Sequence, residues 1–151
     1  HRLKLAMGQD VNQFRVKKRP TGAVVTLARL GHPDVVTATG GALKVVTAAS
    51  EPGFNPLDLL YSSLAACLAL SARIAASSMG LLDRFERVMV HVSGQKADEE
   101  PSRIIRFDIR IAIEGDFDGQ TRAAIAHAAE DICTVSNTLK GDAEFVMSIA
   151  D

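Results

Sequence analysis

One stretch limits the possible folds more than any other. From Pro56 to Met79 the sequence reads as an unbroken helix that is apolar around most of its circumference. Leu57, Leu60, Leu64, Cys67 and Ser71 recur at helical spacing on one side. Leu59, Leu68 and Leu70 widen that surface, and Ala65, Ala66, Ala72, Ala75 and Ala76 keep the rest small. Asn55 is a good N-cap, and Pro56 suits the first helical position because its missing N–H is not needed there. Asp58 falls in the first turn, where its carboxylate meets orphan amides and the positive end of the helix dipole. Gly80 stops the helix. A helix apolar on most sides is expected to be buried on most sides, so other elements must wrap it.

The remaining chain supplies those elements. Residues 11 to 49 alternate apolar and polar positions between Gly and Pro punctuation, which predicts a meander of three or four short antiparallel strands. Its runs are Phe14 to Val16, Ala23 to Leu27, Val35 to Thr37 and Leu43 to Thr47. Phe85 to Ser93 reads as a strand, Gln95 to Ser102 as a charged turn. Ile105 to Ile113 follows with strict period-two alternation. A second helix is expected over Gln120 to Ile132, with Ala124, Ile125, Ala128, Ala129 and Ile132 inward. A short last strand is expected over Phe145 to Ile149. Strands, long helix, strands, helix and strand make an α+β domain, read as one domain over 1–151, with 1–10 a poorly ordered or tag-derived segment.

Composition narrows the function classes. With 47% hydrophobic and 23% charged residues the chain can build a globular core. A net charge of −1 and 5% aromatics oppose a bulk-charge nucleic-acid binder and a base-stacking platform. No apolar run reads as long and continuous enough to span a bilayer, so neither nucleic acid nor membrane is an expected partner, and the cytoplasm is the expected compartment. No phosphate loop or compact metal-ligand spacing is present, and no cofactor or metal is expected; His127 and Glu130 lie near Cys133 but do not complete a ligand set.

The two cysteines, Cys67 and Cys133, have a structural reading as small core hydrophobes and a chemical one as a redox pair. Gly53-Phe54-Asn55-Pro56-Leu57-Asp58-Leu59-Leu60 followed by Leu64-Ala65-Ala66-Cys67, with Cys133-Thr134-Val135-Ser136-Asn137-Thr138-Leu139 later, resembles the two cysteine motifs of the OsmC/Ohr family of osmotically inducible and organic hydroperoxide resistance proteins. The resemblance covers the chain from about residue 21 to its end.

The resemblance implies an intertwined homodimer built from antiparallel sheets around a long central helix. It also implies a cysteine-dependent peroxidase acting on small organic hydroperoxides and recharged by an external dithiol reductant. Cys67 would be the peroxidatic thiol and Cys133 the resolving one. Two positions depart from the better-studied members. Leu57 stands where they carry a glutamate after Asn-Pro, with Asp58 as the neighbouring carboxylate. Their thiolate-holding arginine maps to the early turn around Arg29 and His32, or else to Arg19. The cation matters because only the thiolate is nucleophilic, and Cys67 lies about three turns from its own helix N-terminus, beyond the reach of the dipole. Without a nearby cation Cys67 is expected to be a poor nucleophile. The alternative reading is a non-peroxidase member that binds a small apolar ligand or senses oxidants at the dimer interface.

Overall fold

The structure, a computed structural model, describes residues 19–151. The segment around Phe14 and Val16, and residues 1–10, lie outside the described residues. The chain forms two compact units that meet in sequence at Asn55 and Pro56.

The first unit carries a three-stranded antiparallel meander, β1 (Ala23–Thr26), β2 (Asp34–Thr37) and β3 (Ala42–Lys44). Val24 faces Val36 and Val25 faces Val35 across β1 and β2, and Val35 faces Leu43 across β2 and β3. The third strand is shorter than the alternation predicts: after Lys44, Val45 makes only an isolated bridge to Phe54.

The second unit opens with α1 (Pro56–Ser78), which begins and ends where its signals predict. Gly80 sits at φ +72°, and the Leu81 and Gly80 amides donate to the Ala76 and Ser77 carbonyls. This closing pattern needs a left-handed residue at that point, which glycine adopts without steric cost. A short 3-10 turn (Leu82–Arg84) leads into β4 (Phe85–Lys96), and β4 pairs antiparallel with β5 (Ile104–Gly115). The strand runs three residues past Ser93, so the charged turn is tighter than predicted. α2 (Gly119–Ile132) is capped by Asp118, whose carboxylate accepts from the Thr121 amide at 2.7 Å. α3 (Thr134–Lys140) follows after a single residue, Cys133. The mixed α+β class and antiparallel pairing agree with the sequence reading.

Two clusters make the core of this unit. Ala72, Ala75 and Ala76 of α1 pack with Ile113, Phe117, Ile125 and Ala129. One to two turns earlier, Leu64 and Leu68 pack with Cys133, joined by Cys67, Val90, Val92, Phe107 and Val135. Alanines line α1 at the first cluster and leucines at the second.

Several expectations are corrected. α1 is buried on one face only, through Leu64, Leu68, Ser71, Ala72, Ala75 and Ala76, while Leu70 and Ile74 remain more than half exposed. A two-stranded sheet and two short helices cover about one side of a helix and no more. α1 is also long and apolar enough to cross a membrane, contrary to the sequence reading; its mean hydropathy over the best window is 1.6. Here its leucine and alanine face is core. On α2, Ile125 and Ala129 are buried, but Ala124 and Ile132 are exposed, because α1 and β5 cover a narrower stripe than the apolar pattern offers. Ile105 and Ile109 are likewise exposed on β5. Phe145 to Ile149 is not a strand: it has no pairing partner among the described residues, and Phe145 is 96% exposed. Alternation alone does not make a strand where no neighbouring strand pairs with it.

Candidate active site

The chemistry-bearing residues of the second unit meet where α1 passes the α2–α3 junction. Cys67, in the third turn of α1, is half-buried. Cys133 is 0% exposed and sits in the one-residue bend between the two short helices. Its backbone is extended, its amide closes α2 on the Glu130 carbonyl, and its sulfur accepts the Ser136 amide at 3.4 Å. Cys133 is therefore both the end of one helix and the N-cap of the next, a duty usually given to Ser, Thr or Asp. The sequence reading did not anticipate α3. Its seven residues, Thr134–Lys140, lack the length and apolar periodicity that mark a helix.

Cys67 packs against Cys133, and the two thiols influence each other's ionisation. Burial works to raise the Cys67 pKa. It is outweighed by donors aimed at the sulfur: the Val135 amide, the Cys133 thiol, the Ser71 hydroxyl and the Thr134 amide. The Cys67 thiol is thereby held below the ordinary cysteine value. Cys133 moves the other way. Burial pushes it up, and so does the bond it donates to Cys67, since losing that proton loses the bond. The pair is thus asymmetric, with one sulfur favoured as thiolate and its neighbour as thiol.

This corrects one expectation. Cys67 does lie too far from the N-terminus of its own helix, but it lies against the N-terminus of another. Thr134 and Val135 are the first two residues of α3, whose amides have no partner inside the helix. Backbone donors thus contribute what the sequence reading assigned to a cation alone. Two groups that sequence reasoning missed are these amides and Ser71. A serine four residues after Cys67 is the signal that was available for the latter.

Arg29 and His32 belong to the first unit, in the β1–β2 connection. Arg29 is exposed there, and His32 donates to the Glu51 carboxylate at 2.9 Å. Arg19 is exposed ahead of β1. Asp58 is half-buried in the first turn of α1, about two and a half turns before Cys67. Tyr61 projects from α1 over β4, with its ring edge-on to Phe107 at 6.3 Å and its hydroxyl over Gly94. A groove of 330 Å³ lined by Leu68, Ile109, Ile111, Ala126, His127 and Glu130 runs beside the second cluster. Among the described residues no group of three or more His, Cys, Asp or Glu is arranged to hold a metal ion.

Comparison with known proteins now bears on these features. The OsmC-like protein family matches residues 48–148, which includes both cysteines and all of the second unit but its last three residues. The chain belongs to the OsmC-like family. A crystal structure of an organic hydroperoxide resistance protein from Elizabethkingia anophelis superposes with a TM-score of 0.68 at 18% identity, covering 83% of this chain and 91% of that one. An OsmC-like protein from Mycoplasma pneumoniae gives a TM-score of 0.70 at 16% identity, covering 83% and 90%. An uncharacterized protein of Haloferax volcanii is 28% identical over 97 residues, 64% of this chain and 71% of that protein. At these identities the solved structures establish a shared OsmC-like fold.

Proposed function

We propose that this OsmC-like protein is a thiol-dependent peroxidase that reduces small organic hydroperoxides. The observation that carries the reading is the asymmetric pair. Cys67 packs against Cys133, and the surrounding groups hold the Cys67 thiol low while the Cys133 thiol is pushed up. The organic hydroperoxide resistance proteins among its structural neighbours support the substrate class.

The Cys67 thiolate attacks the outer oxygen of the hydroperoxide. An S–O bond forms, the O–O bond breaks, and the alkoxide leaves with a proton as the alcohol. Cys67 is now a sulfenic acid. The Cys133 sulfur displaces its hydroxyl as water, giving a Cys67–Cys133 disulfide in place of one thiol and one sulfenic acid. An external dithiol restores both cysteines by exchange, taking up the disulfide itself. Leu64, Leu68, Val90, Val92 and Phe107 make the surroundings apolar, which suits an alkyl peroxide better than hydrogen peroxide.

The active form in this reading is a homodimer. Leu70 and Ile74 on the uncovered side of α1, and Phe145, Val146, Met147 and Ile149 in the C-terminal segment, are apolar and exposed in the single chain, and a second copy would cover them. The family resemblance further implies an arginine that holds the thiolate, for which Arg29 is the candidate, while Asp58 serves the first turn of α1. The deciding experiment is consumption of cumene or tert-butyl hydroperoxide by the pure protein with a dithiol reductant. Turnover abolished by Cys67→Ser supports the reading. Stoichiometric oxidation without turnover favours the oxidant-sensing alternative, which Leu57 in the place of the family glutamate already suggests.

A further inference from the structure

Cys133 holds the start of α3 by its sulfur. It is the residue between α2 and α3, it is fully buried, and its Sγ accepts the Ser136 amide at 3.4 Å. Ser136 is itself 4% exposed, so this amide has no route to water where it lies. A buried N–H that loses its acceptor costs much more than a bond exchanged for water at the surface. α3 has only seven residues, too few to persist as a helix without such attachments. Two further ties to α2 lie later in the helix: the Asn137 side-chain amide donates to the Asp131 carbonyl at 3.0 Å, and Lys140 pairs with Glu130.

Cys67 packs in the same cluster, on the 23-residue α1. A disulfide holds its sulfurs about 2.05 Å apart, far inside the separation of two free thiols in contact. The sulfurs must therefore close on one another. α1 is the stiffer support, since its residues enter both core clusters, whereas Cys133 stands on a one-residue bend.

We propose that α3 is a redox-gated lid over the Cys133 sulfur: bonding of Cys133 to Cys67 draws the sulfur off the Ser136 amide, and the first turn of α3 opens so that the freed amide meets water. This rests on the reading of Cys67 and Cys133 as a redox pair. In that cycle the two thiols lose two hydrogen atoms and the hydroperoxide becomes an alcohol and water. The lid meets a requirement of the step that follows. Thiol–disulfide exchange depends on access to the sulfur attacked, and Cys133 is sealed in the reduced fold. Opening uncovers the bond once it has formed, and reduction restores the cap and closes α3.

The test is hydrogen exchange read by mass spectrometry on the full-length chain, reduced and oxidised with diamide, which takes up the two thiol hydrogens without any peroxide. Peptide mapping of the same samples reads the Cys67–Cys133 bond. Oxidation is expected to speed exchange in peptides covering Thr134–Lys140 about tenfold or more, the effect of one buried hydrogen bond lost, while α1 keeps its rates. Cys133→Ser keeps a capping oxygen and cannot form the bond, so the same treatment is expected to leave its α3 exchange unchanged. Unchanged α3 exchange in a chain whose disulfide is mapped overturns the proposal, and so does failure of diamide to join the pair. Equal acceleration across α1 and α3 is general destabilisation and overturns it as well. Diamide bypasses the peroxide step, so a chain that opens α3 on oxidation yet consumes no hydroperoxide rejects the peroxidase reading and leaves the lid standing.

Discussion

Replacing Cys133 by alanine and by serine should separate its structural duty from its chemical one. The sulfur is fully buried and caps α3 by accepting the Ser136 amide. Alanine removes the cap, at a cost of about 1 kcal/mol. It also leaves a small void among Leu64, Leu68 and Val135, which adds about 1 kcal/mol for lost contacts and incomplete collapse. The sum, about 2 kcal/mol, corresponds to a fall in melting temperature of roughly 4–8 °C for a chain of this size. Serine restores a good capping oxygen, so most of the first contribution returns and the loss should be about 1 kcal/mol or less. Both variants lose the resolving thiol and should behave alike with peroxide: one oxidation event, then slow inactivation as the sulfenate climbs to irreversible states. Urea denaturation at fixed protein concentration, with unchanged m, measures the first effect. Equal destabilisation by Ala and Ser would refute the capping argument, and sustained turnover by either would refute the resolving role.

Asp58→Ala should cost about 1 kcal/mol through the first turn of α1. If the rate per folded protein instead falls at neutral pH and recovers at high pH, Asp58 acts on the thiolate and the capping role is insufficient. Gly94→Ala would place a Cβ 2.6 Å from the Tyr61 hydroxyl and 2.7 Å from its ring, so a loss of about 1–3 kcal/mol is expected in a denaturant melt. Gly94→Ala combined with Tyr61→Phe should recover part of it, and no recovery would place the strain elsewhere. Analytical sedimentation should give a dimer whose interface exceeds roughly 2,000 Å², as in obligate assemblies; a stable monomer at micromolar concentration would sink the dimer reading.

Much of the fold was legible because its signals are local. Asn55-Pro56 and Gly80 bound α1, and the alternation of Val88, Val90 and Val92 opposite Ile109, Ile111 and Ile113 describes the β4–β5 hairpin. Tertiary coverage was not legible. Whether Leu70 or Ile132 is buried depends on what lies over it, and apolar periodicity states only which face is available. The final segment shows the same limit, since Phe145 to Ile149 has the pattern of a strand without a partner among the described residues. At the site, the two cysteine motifs name the sulfurs, but the donors around Cys67 come from backbone amides whose positions no side-chain pattern records. A cysteine in place of the usual capping residue hid both α3 and its open amides.

The account turns on Cys67 and Cys133 forming one bond through a sulfenic acid. Intact and peptide mass spectrometry of the reduced protein, treated with one equivalent of tert-butyl hydroperoxide and alkylated under denaturing conditions, tests this directly. The account predicts a chain lighter by two hydrogen atoms with the Cys67 and Cys133 peptides joined, and in Cys133→Ser a chain heavier by one oxygen atom on Cys67. A wild-type chain in which both cysteines remain free to alkylate, or in which the added oxygen lies on Cys133, would contradict it.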